Sequence, residues 1–510
     1  MKFLVSVSLG PVQEFIAAAR STSDLFSGSE LLTLVVGAAA GVFSGPGVTR
    51  VFPVSASAGG ANKILAVVDT GQGASHPDTL VVLAREAAHG ALQAEWRGAR
   101  ERLDRAHVWT HVNAERAQEQ LRDFLEVYAA WVPLADGDAA YSVARGRVER
   151  LLAGRKALRD FLPVTGDDSG VPKSPLDPSR ASVVGDPSKL SGEPLRLKGT
   201  EFLDAVSVLK RVRGVRLREQ GEARRVLSTR ELAQRAVKPG FLSLKDELEP
   251  SFPYFAVLVA DGDRMGQLLS KHERVDAHQR VSAQLDAFAR HAQEIVREHG
   301  GQPVYSGGDD VLALLPVTTA VACARALAGS FAEHLGVPFA VPDPDTSLSV
   351  GVAIVHHLEP LSVALQRGRA AEKDAKVDRN ALSVALHTRG GSPLTVRQVW
   401  SAFTLDRWLA LARSGLITRG LPYELRELAR DWPAGLNAPE ALRGEVQRIV
   451  RHKQRRDGRA GHAVVRHDLE DHENGTDLLG VTTAQELKTL ADVMILSRFL
   501  TGEALPGGEA

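Results

Sequence analysis

The chain has 510 residues, 62 Lys+Arg against 62 Asp+Glu, and a single cysteine, Cys323. One cysteine excludes an intramolecular disulfide and a multi-cysteine zinc site, so no structural zinc is expected, and it fits a reducing, cytoplasmic setting. Formal neutrality excludes a nucleic-acid binder that works by bulk charge and leaves open one that works through local basic patches.

Lys2–Leu9 predicts a strand, with Val5 and Val7 on one face and Ser6 and Ser8 on the other. Gly10-Pro11 ends this apolar run too early for a signal peptide. Pro11 suits the first turn of a helix that continues through Phe15, Ile16 and Ala19. The longest apolar stretch, Leu31–Phe43, is shorter than a membrane span, so no membrane partner is expected. Strands at Lys63–Val68 and Glu126–Val132, around a charged helix at His89–Ala106, make residues 1–165 one α+β domain.

Thr165–Pro194, rich in Pro, Gly, Ser and Asp, reads as a linker. It leads into a basic helical stretch with Lys198, Lys210, Arg211, Arg213, Arg216, Arg218, Arg224 and Arg225, so 166–250 is taken as a linker and helical domain. From Tyr254 the pattern sharpens into strand (Tyr254–Ala260), helix (Met265–His299), strands (Pro303–Tyr305, Val311–Leu315), helix (Thr319–Leu335), strand (Ser347–Val355), helix (Leu361–Ala375) and strand (Ala381–Leu386). The βαββαβ order predicts a ferredoxin-like domain over 251–390. A helical domain is expected over 391–510.

Phe3–Pro11 lines up with Phe255–Asp263, each copy preceding a helix. If this is a duplication, the first copy has Leu9 and Pro11 in place of Asp261 and Asp263.

Two acidic motifs fall at strand ends: Asp261-Gly262-Asp263, and Gly307-Gly308-Asp309-Asp310 within a hairpin whose turn is expected at the two glycines. Alone, either motif reads as a turn. In the βαββαβ order the first and third strands are neighbours, which brings Asp261 beside Asp309 and Asp310. Carboxylates gathered without a basic partner repel unless protonated or bridged by divalent cations. Oxygen-only ligands suit Mg²⁺ or Mn²⁺, and a two-metal site of this kind can clamp an in-line phosphoryl displacement. Adjacent strand residues face opposite ways, so a twist or bulge is needed to bring both Asp309 and Asp310 into one site. Farther on, Lys376 and Arg379 end a helix, where they either meet polyphosphate charge on the carboxylate-free side or simply complement the helix dipole.

DGDRMG, YSGGDD and SLSVGVAIVHH with AEKDAKVDRNA resemble the palm of the GGDEF and nucleotide-cyclase superfamily. The opening GPVQEFIAAARSTSDLFSGSELL, together with VYAAWVPL, LLAGRKALRDF and KGTEFLDAVSVLKR, resembles the large, Cmr-type subunit of type III CRISPR effector complexes. The resemblance implies two palms, the first degenerate, with a linker helical domain and a C-terminal helical domain. It implies a palm that makes cyclic oligoadenylates from ATP when target RNA is bound. It further implies that Asp261, Asp309 and Asp310 hold the metal ions with Asp263 as helper, and that Ser306, Gly307, Gly308, Gly262 and Lys376 line the nucleotide. Guide RNA, target RNA and smaller Cmr-type subunits are the implied partners. The alternatives are a non-catalytic palm scaffold and a free-standing nucleotide cyclase. The sequence opens at the degenerate palm, and its His467-Asp468 pair lies in a polar run with His462 and His472, so HD nuclease activity is not expected. The family's cysteine-rich zinc element cannot form. The run Arg448–Arg456 and the basic stretch 198–225 are the expected tracks for an RNA backbone.

Overall fold

The computed structural model describes residues 1–55, 62–158, 170–219, 225–236, 252–271, 274–336, 346–414, 417–456 and 481–502. The alternation in the first residues becomes β1 (Lys2–Gly10), followed by α1 (Gln13–Ala17) and α2 (Thr22–Val42). Next come β2 (Val48–Phe52), β3 (Lys63–Asp69), α3 (Pro77–Arg105), α4 (Ala114–Arg122), β4 (Glu126–Pro133) and α5 (Asp138–Ala157). The strands pair in the order β2-β3-β1-β4, the ferredoxin-like order read from the far edge. Ser21 starts α2 with a capping box to Asp24. By length and composition α2 could cross a membrane, because its apolar run begins well before Leu31. Here it is a core helix, with Leu25, Leu31, Val35, Val36 and Ala39 buried.

The linker expected at Thr165–Pro194 is, from Gly170 onward, packed chain. Val183, Val184, Leu190, Leu195 and Leu197 are buried in the first domain's core. Each such burial is worth about 1.5–3 kcal/mol, which outweighs the turn-forming composition around it. Backbone bonds from Asn113 N–H to the Val183 carbonyl (2.7 Å) and from Gly185 N–H to the His111 carbonyl (3.0 Å) fix it in place. Then follow α6 (Ala205–Glu219) and α7 (Thr229–Gln234).

Three cations of the expected RNA track, Lys210, Arg211 and Arg213 of α6, are turned inward, whereas Lys198 and Arg225 are exposed. The fully buried Lys210 donates to the Phe15 carbonyl at 2.7 Å and to the Ala18 carbonyl, closing the C-terminal end of α1. Arg211 pairs with Asp24 at 2.9 Å, and Arg213 with Glu95 and Glu30. These cations are spent on the acids of α2 and α3.

The second sheet is built from β5 (Tyr254–Gly262), β6 (Gln302–Gly307), β7 (Asp310–Pro316) and β8 (Leu348–His356). The helices between them are α8 (Met265–Ser270), α9 (Val275–Glu298) and α10 (Val317–Gly336). The continuous helix expected over Met265–His299 is therefore two helices. After β8 come α11 (Leu361–Asp378), β9 (Ala381–Leu386) and β10 (Leu394–Val399), giving the sheet order β10-β9-β8-β5-β7-β6. The helical character expected past Gly390 thus starts only after one more strand, β10, which pairs antiparallel with β9. Among the described residues four helices follow: α12 (Leu405–Arg413), α13 (Leu421–Asp431), α14 (Pro439–Arg456) and α15 (Ala484–Leu500).

Side-chain alternation divides the second sheet between two cores. Phe255, Val257, Leu312, Leu314, Ala353 and Val355 join the core of the first domain, together with Leu361 and Leu365 of α11. Ala256, Leu258, Val311, Ala313, Val350 and Val352 pack with α9, α10 and the C-terminal helices, whose Trp408, Leu425 and Phe499 are buried there. The cross-domain contacts include Gln279 to the Arg50 carbonyl (2.8 Å) and a buried Tyr141–His278 hydrogen bond (2.7 Å). The run His462–His472 lies outside the described residues, and Arg448 of the C-terminal basic run pairs with Glu445 at 2.7 Å.

The internal resemblance has a counterpart in register. β1 pairs Ser8 with Lys63 and Leu9 with Val127, while β5 pairs Ala260 with Val311 and Asp261 with Ser349. Leu9 and Asn62, joined by a 2.8 Å backbone bond, stand where the second palm has Asp261 and Asp310. The first palm has no acid at either position.

Candidate active site

β5 is the central antiparallel strand, with β7 on one side and β8 on the other. Its last pair with β7 is Ala260–Val311, and continuing that register sets Asp261 opposite Asp310. The hairpin turn lies one residue later than expected. Gly307 still pairs with Asp310, and the turn residues are Gly308 and Asp309. Gly308 has φ +66°, which glycine adopts without strain, at the first central position of the two-residue loop. Asp309 is thus on the turn while Asp310 opens β7, so the two acids escape strict strand alternation without a bulge between them.

Gly262, expected to line a nucleotide, makes room for Asp309. A Cβ at Gly262 would lie 2.9 Å from the Asp309 Cβ and 3.1 Å from its Oδ2. Ser306 is likewise committed elsewhere: it is buried, and its hydroxyl donates to the Ala289 carbonyl of α9 at 2.7 Å, leaving no donor for a nucleotide. Gly308 faces the first palm, where the ring of Phe52 lies 3.9 Å from the position of a Cβ.

Burial raises the carboxyls of both Asp309 and Asp310 above the ordinary range, and the charge of Asp310 adds to the shift at Asp309. The phenol of Tyr305 is pushed up by burial and then by the same two carboxylates, so it stays protonated.

Lys376 does not lie on a carboxylate-free side. Its ammonium is in contact with Asp261 and is 3.6 Å from Glu372, one turn earlier on α11. The reason is the close seating of α11. At Gly351 of β8 a Cβ would collide with the Glu372 amide, and at Gly368 of α11 it would lie 2.8 Å from Val257 Cγ1. Only glycine at both points lets the helix approach the sheet and carry Glu372 and Lys376 over the strand ends. Glu372 is a fourth acid here that the motifs did not disclose. Its carboxyl is raised by burial and then by the charges of Asp310 and Asp263. The Lys376–Glu372 spacing of four residues was the visible signal. Burial lowers Lys376, and Arg379 lowers it further.

Asp263 sits apart from this group of ligand-like acids. It is buried, and its oxygens accept from Ser347, Ser349 and the Asn380 amide.

Among the described residues no three His, Cys, Asp or Glu side chains form a ready metal shell, since Lys376 takes the carboxylate of Asp261. The donor chemistry nonetheless fits a hard divalent cation. Asp309 and Asp310 are adjacent carboxyls raised by desolvation, a condition that a cation relieves. Mg²⁺ commonly takes only one or two protein carboxylates and completes its shell with water and substrate phosphate.

Comparison with known proteins places this geometry. The family described as "Cas10/Cmr2, second palm domain" matches residues 254–383, and "CRISPR-associated protein Cmr2, N-terminal" matches residues 4–112. A curated relative, "CRISPR system Cmr subunit Cmr2" of Pyrococcus furiosus, is 27% identical over 271 residues. That match covers 46% of this chain and 30% of the relative, so less than a third of the relative's length is spanned. Among solved structures, a type III-B Cmr-beta chain in the apo state aligns with TM-score 0.63 at 12% identity, covering 88% of this chain and 77% of that one. The same assembly bound to cognate target RNA gives TM-score 0.61 at 13% identity over 88% and 78%. A Csm1–Csm4 cassette in complex with cA4 gives 0.55 at 14% identity over 98% and 70%. At these identities the structures share the fold alone. Two separate segments of the chain, 4–112 and 254–383, are thus similar to the N-terminal and second palm domains of the Cas10/Cmr2 family.

Proposed function

We propose that the chain is the large subunit of a type III CRISPR effector complex and that its second palm makes cyclic oligoadenylates from ATP. The observation that carries this reading is the meeting of Asp261 with the Gly308-Asp309-Asp310 turn at neighbouring strand ends, with Lys376 over them. A structure similar in fold was solved with cA4, others with pppApApA and AMPPNP, and another bound to target RNA.

In this reading Asp309, Asp310 and Asp261 hold Mg²⁺ or Mn²⁺. When bound, a metal pair supplies the clamp on the attacking and leaving oxygens of an in-line displacement. The reaction joins a ribose hydroxyl oxygen of one ATP to the α-phosphorus of a second. The bond from that phosphorus to the bridging oxygen breaks, pyrophosphate leaves with the electron pair, and the hydroxyl proton is released to solvent. Lys376, released from Asp261, neutralises triphosphate charge. Gly307 at the end of β6 and Gly308 on the turn leave the backbone before Asp309 free of side chains where a nucleotide would approach. Guide RNA, target RNA and the smaller subunits of the complex are the partners, and the cytoplasm is the setting.

The test is the variant Asp309→Ala with Asp310→Ala, assembled into the complex and incubated with ATP, Mg²⁺ and matching RNA. Loss of oligoadenylate with target RNA binding retained is the expected result. Undiminished product refutes the carboxylate assignment, and retained assembly with no product from the wild type favours a non-catalytic scaffold.

A further inference from the structure

We infer that Asp263 is a positioning residue that seats the Lys376 end of α11 over the site, and that it is not a metal ligand. The inference rests on the nucleotidyl-transfer reading only for what Lys376 does once seated.

Asp263 follows Asp261 in a motif that looks like a pair of ligands, yet its side chain is 2% exposed and occupied. Oδ2 accepts from the Ser347 hydroxyl at 2.7 Å, the Ser349 hydroxyl at 3.0 Å and the Asn380 backbone N–H at 2.9 Å. Oδ1 accepts from Ser349 at 2.8 Å, and the Asp263 N–H donates to the Ser347 carbonyl at 2.8 Å. The Asn380 N–H can only donate, and both serine hydroxyls turn their protons toward the carboxylate; an Asn keeps the set only if Ser349 reverses to accept from its NH₂, and the charge that strengthens every bond is lost.

The network joins three places: the turn after β5, the entry to β8, and the corner between α11 and β9. That corner is strained. Arg379 and Asn380 are consecutive non-glycine residues at φ +59° and +44°. Asn380 is gripped on both sides, its N–H by Asp263 and its carbonyl by the Trp400 N–H at 2.9 Å. Lys376 lies in the last turn of α11, just before this corner. A helix end whose exit is pinned to β5 through Asp263 has a defined height over Asp261; without the pin, the left-handed corner relaxes and Lys376 moves with it. Ser347 and Ser349 therefore belong to the same device.

The test uses the full chain with Mn²⁺ as probe. Metal binding is followed by electron paramagnetic resonance, and ATP turnover is measured in the assembled complex. Asp263→Asn and the pair Ser347→Ala with Ser349→Ala are expected to keep Mn²⁺ stoichiometry and to bind it within about twofold of wild type. Both are expected to raise KM for ATP by about tenfold, the scale of losing a hydrogen bond to a charged group. In a Lys376→Met background, Asp263→Asn should add no further rise, since both act through one contact. Loss of Mn²⁺ by Asp263→Asn to the extent seen with Asp310→Asn overturns the inference, as does full additivity with Lys376→Met. If Asp310→Asn leaves Mn²⁺ binding intact, it is the metal reading that fails. The pin is then judged by hydrogen exchange over Lys376–Ala381: faster exchange in the serine pair supports it, and unchanged exchange overturns it.

Discussion

Replacing Asp309 and Asp310 by asparagine should make the protein more stable while removing its chemistry. Both carboxyls are raised in the fold by burial. The native state therefore binds more protons than the unfolded chain above the ordinary carboxylate range. Stability then falls as pH rises through that window and levels off once both groups are ionised. Two carboxylates on the order of 5 Å apart repel by roughly 3 kcal/mol at an effective dielectric near 20. Because both side chains are partly exposed, solvent screening reduces this to about 1–3 kcal/mol. At about 2–4 °C per kcal/mol, the palm of the double variant should melt several degrees higher than wild type at pH 8, and close to wild type at pH 4. The described residues form three hydrophobic cores, so global two-state analysis does not apply. Hydrogen exchange along β5 and β7, with chelator present, reads the local effect. Adding Mg²⁺ should slow exchange in the wild type and leave the variant unmoved. A variant less stable than wild type at pH 8, or a shift equal at both pH values, would refute the argument that the turn stores repulsion.

Three further outcomes follow from the packing. Lys210 is fully buried and its ammonium is pushed down to about 8 by desolvation. The native state thus holds fewer protons than the unfolded chain between about pH 8 and the ordinary lysine value of 10.5, and wild-type stability should rise with pH across that window. Denaturation of Lys210→Met across the same range should lack this slope and show a loss of about 2–4 kcal/mol from the carbonyls of Phe15 and Ala18 left unpaired. Gly351→Ala should drive α11 off the sheet, because the new Cβ meets backbone at Glu372 that cannot give way. Thermal unfolding should show a loss of about 3 kcal/mol or more, with Lys376 displaced. Arg213→Ala should destabilise the first domain by breaking the ties to Glu95 and Glu30 while leaving the salt slope of RNA binding unchanged, since that cation is buried. A slope shallower by about one unit would return Arg213 to the RNA interface.

Local patterning carried much of the architecture. The apolar run Tyr254–Ala260, the glycines before Asp309 and the strand-helix spacing together specify a ferredoxin-like palm, because alternation and turn chemistry act over a few residues. The likeness of Phe3–Pro11 to Phe255–Asp263 likewise pointed to an N-terminal palm without acids at these positions, and its order β2-β3-β1-β4 recurs as β6-β7-β5-β8 within the six-stranded sheet. What could not be read there depends on partners distant in sequence. Arg211 and Arg213 of α6 read as part of a nucleic-acid track until Asp24, Glu30 and Glu95 were brought against them. A linker composition became packed chain because Val183, Val184 and Leu190, with Leu195 and Leu197 just beyond, found a core.

At the site, sequence alone determined which acids are present and which strands bear them. Tertiary structure decided what each acid touches. Asp261 meets Lys376, Asp263 meets two serines and a strained corner, and Glu372 arrives only because Gly351 and Gly368 admit α11. The physical reason is that a carboxylate's role is set by its donors, its neighbours' charge and its access to water, and here all three come from segments far apart in the chain.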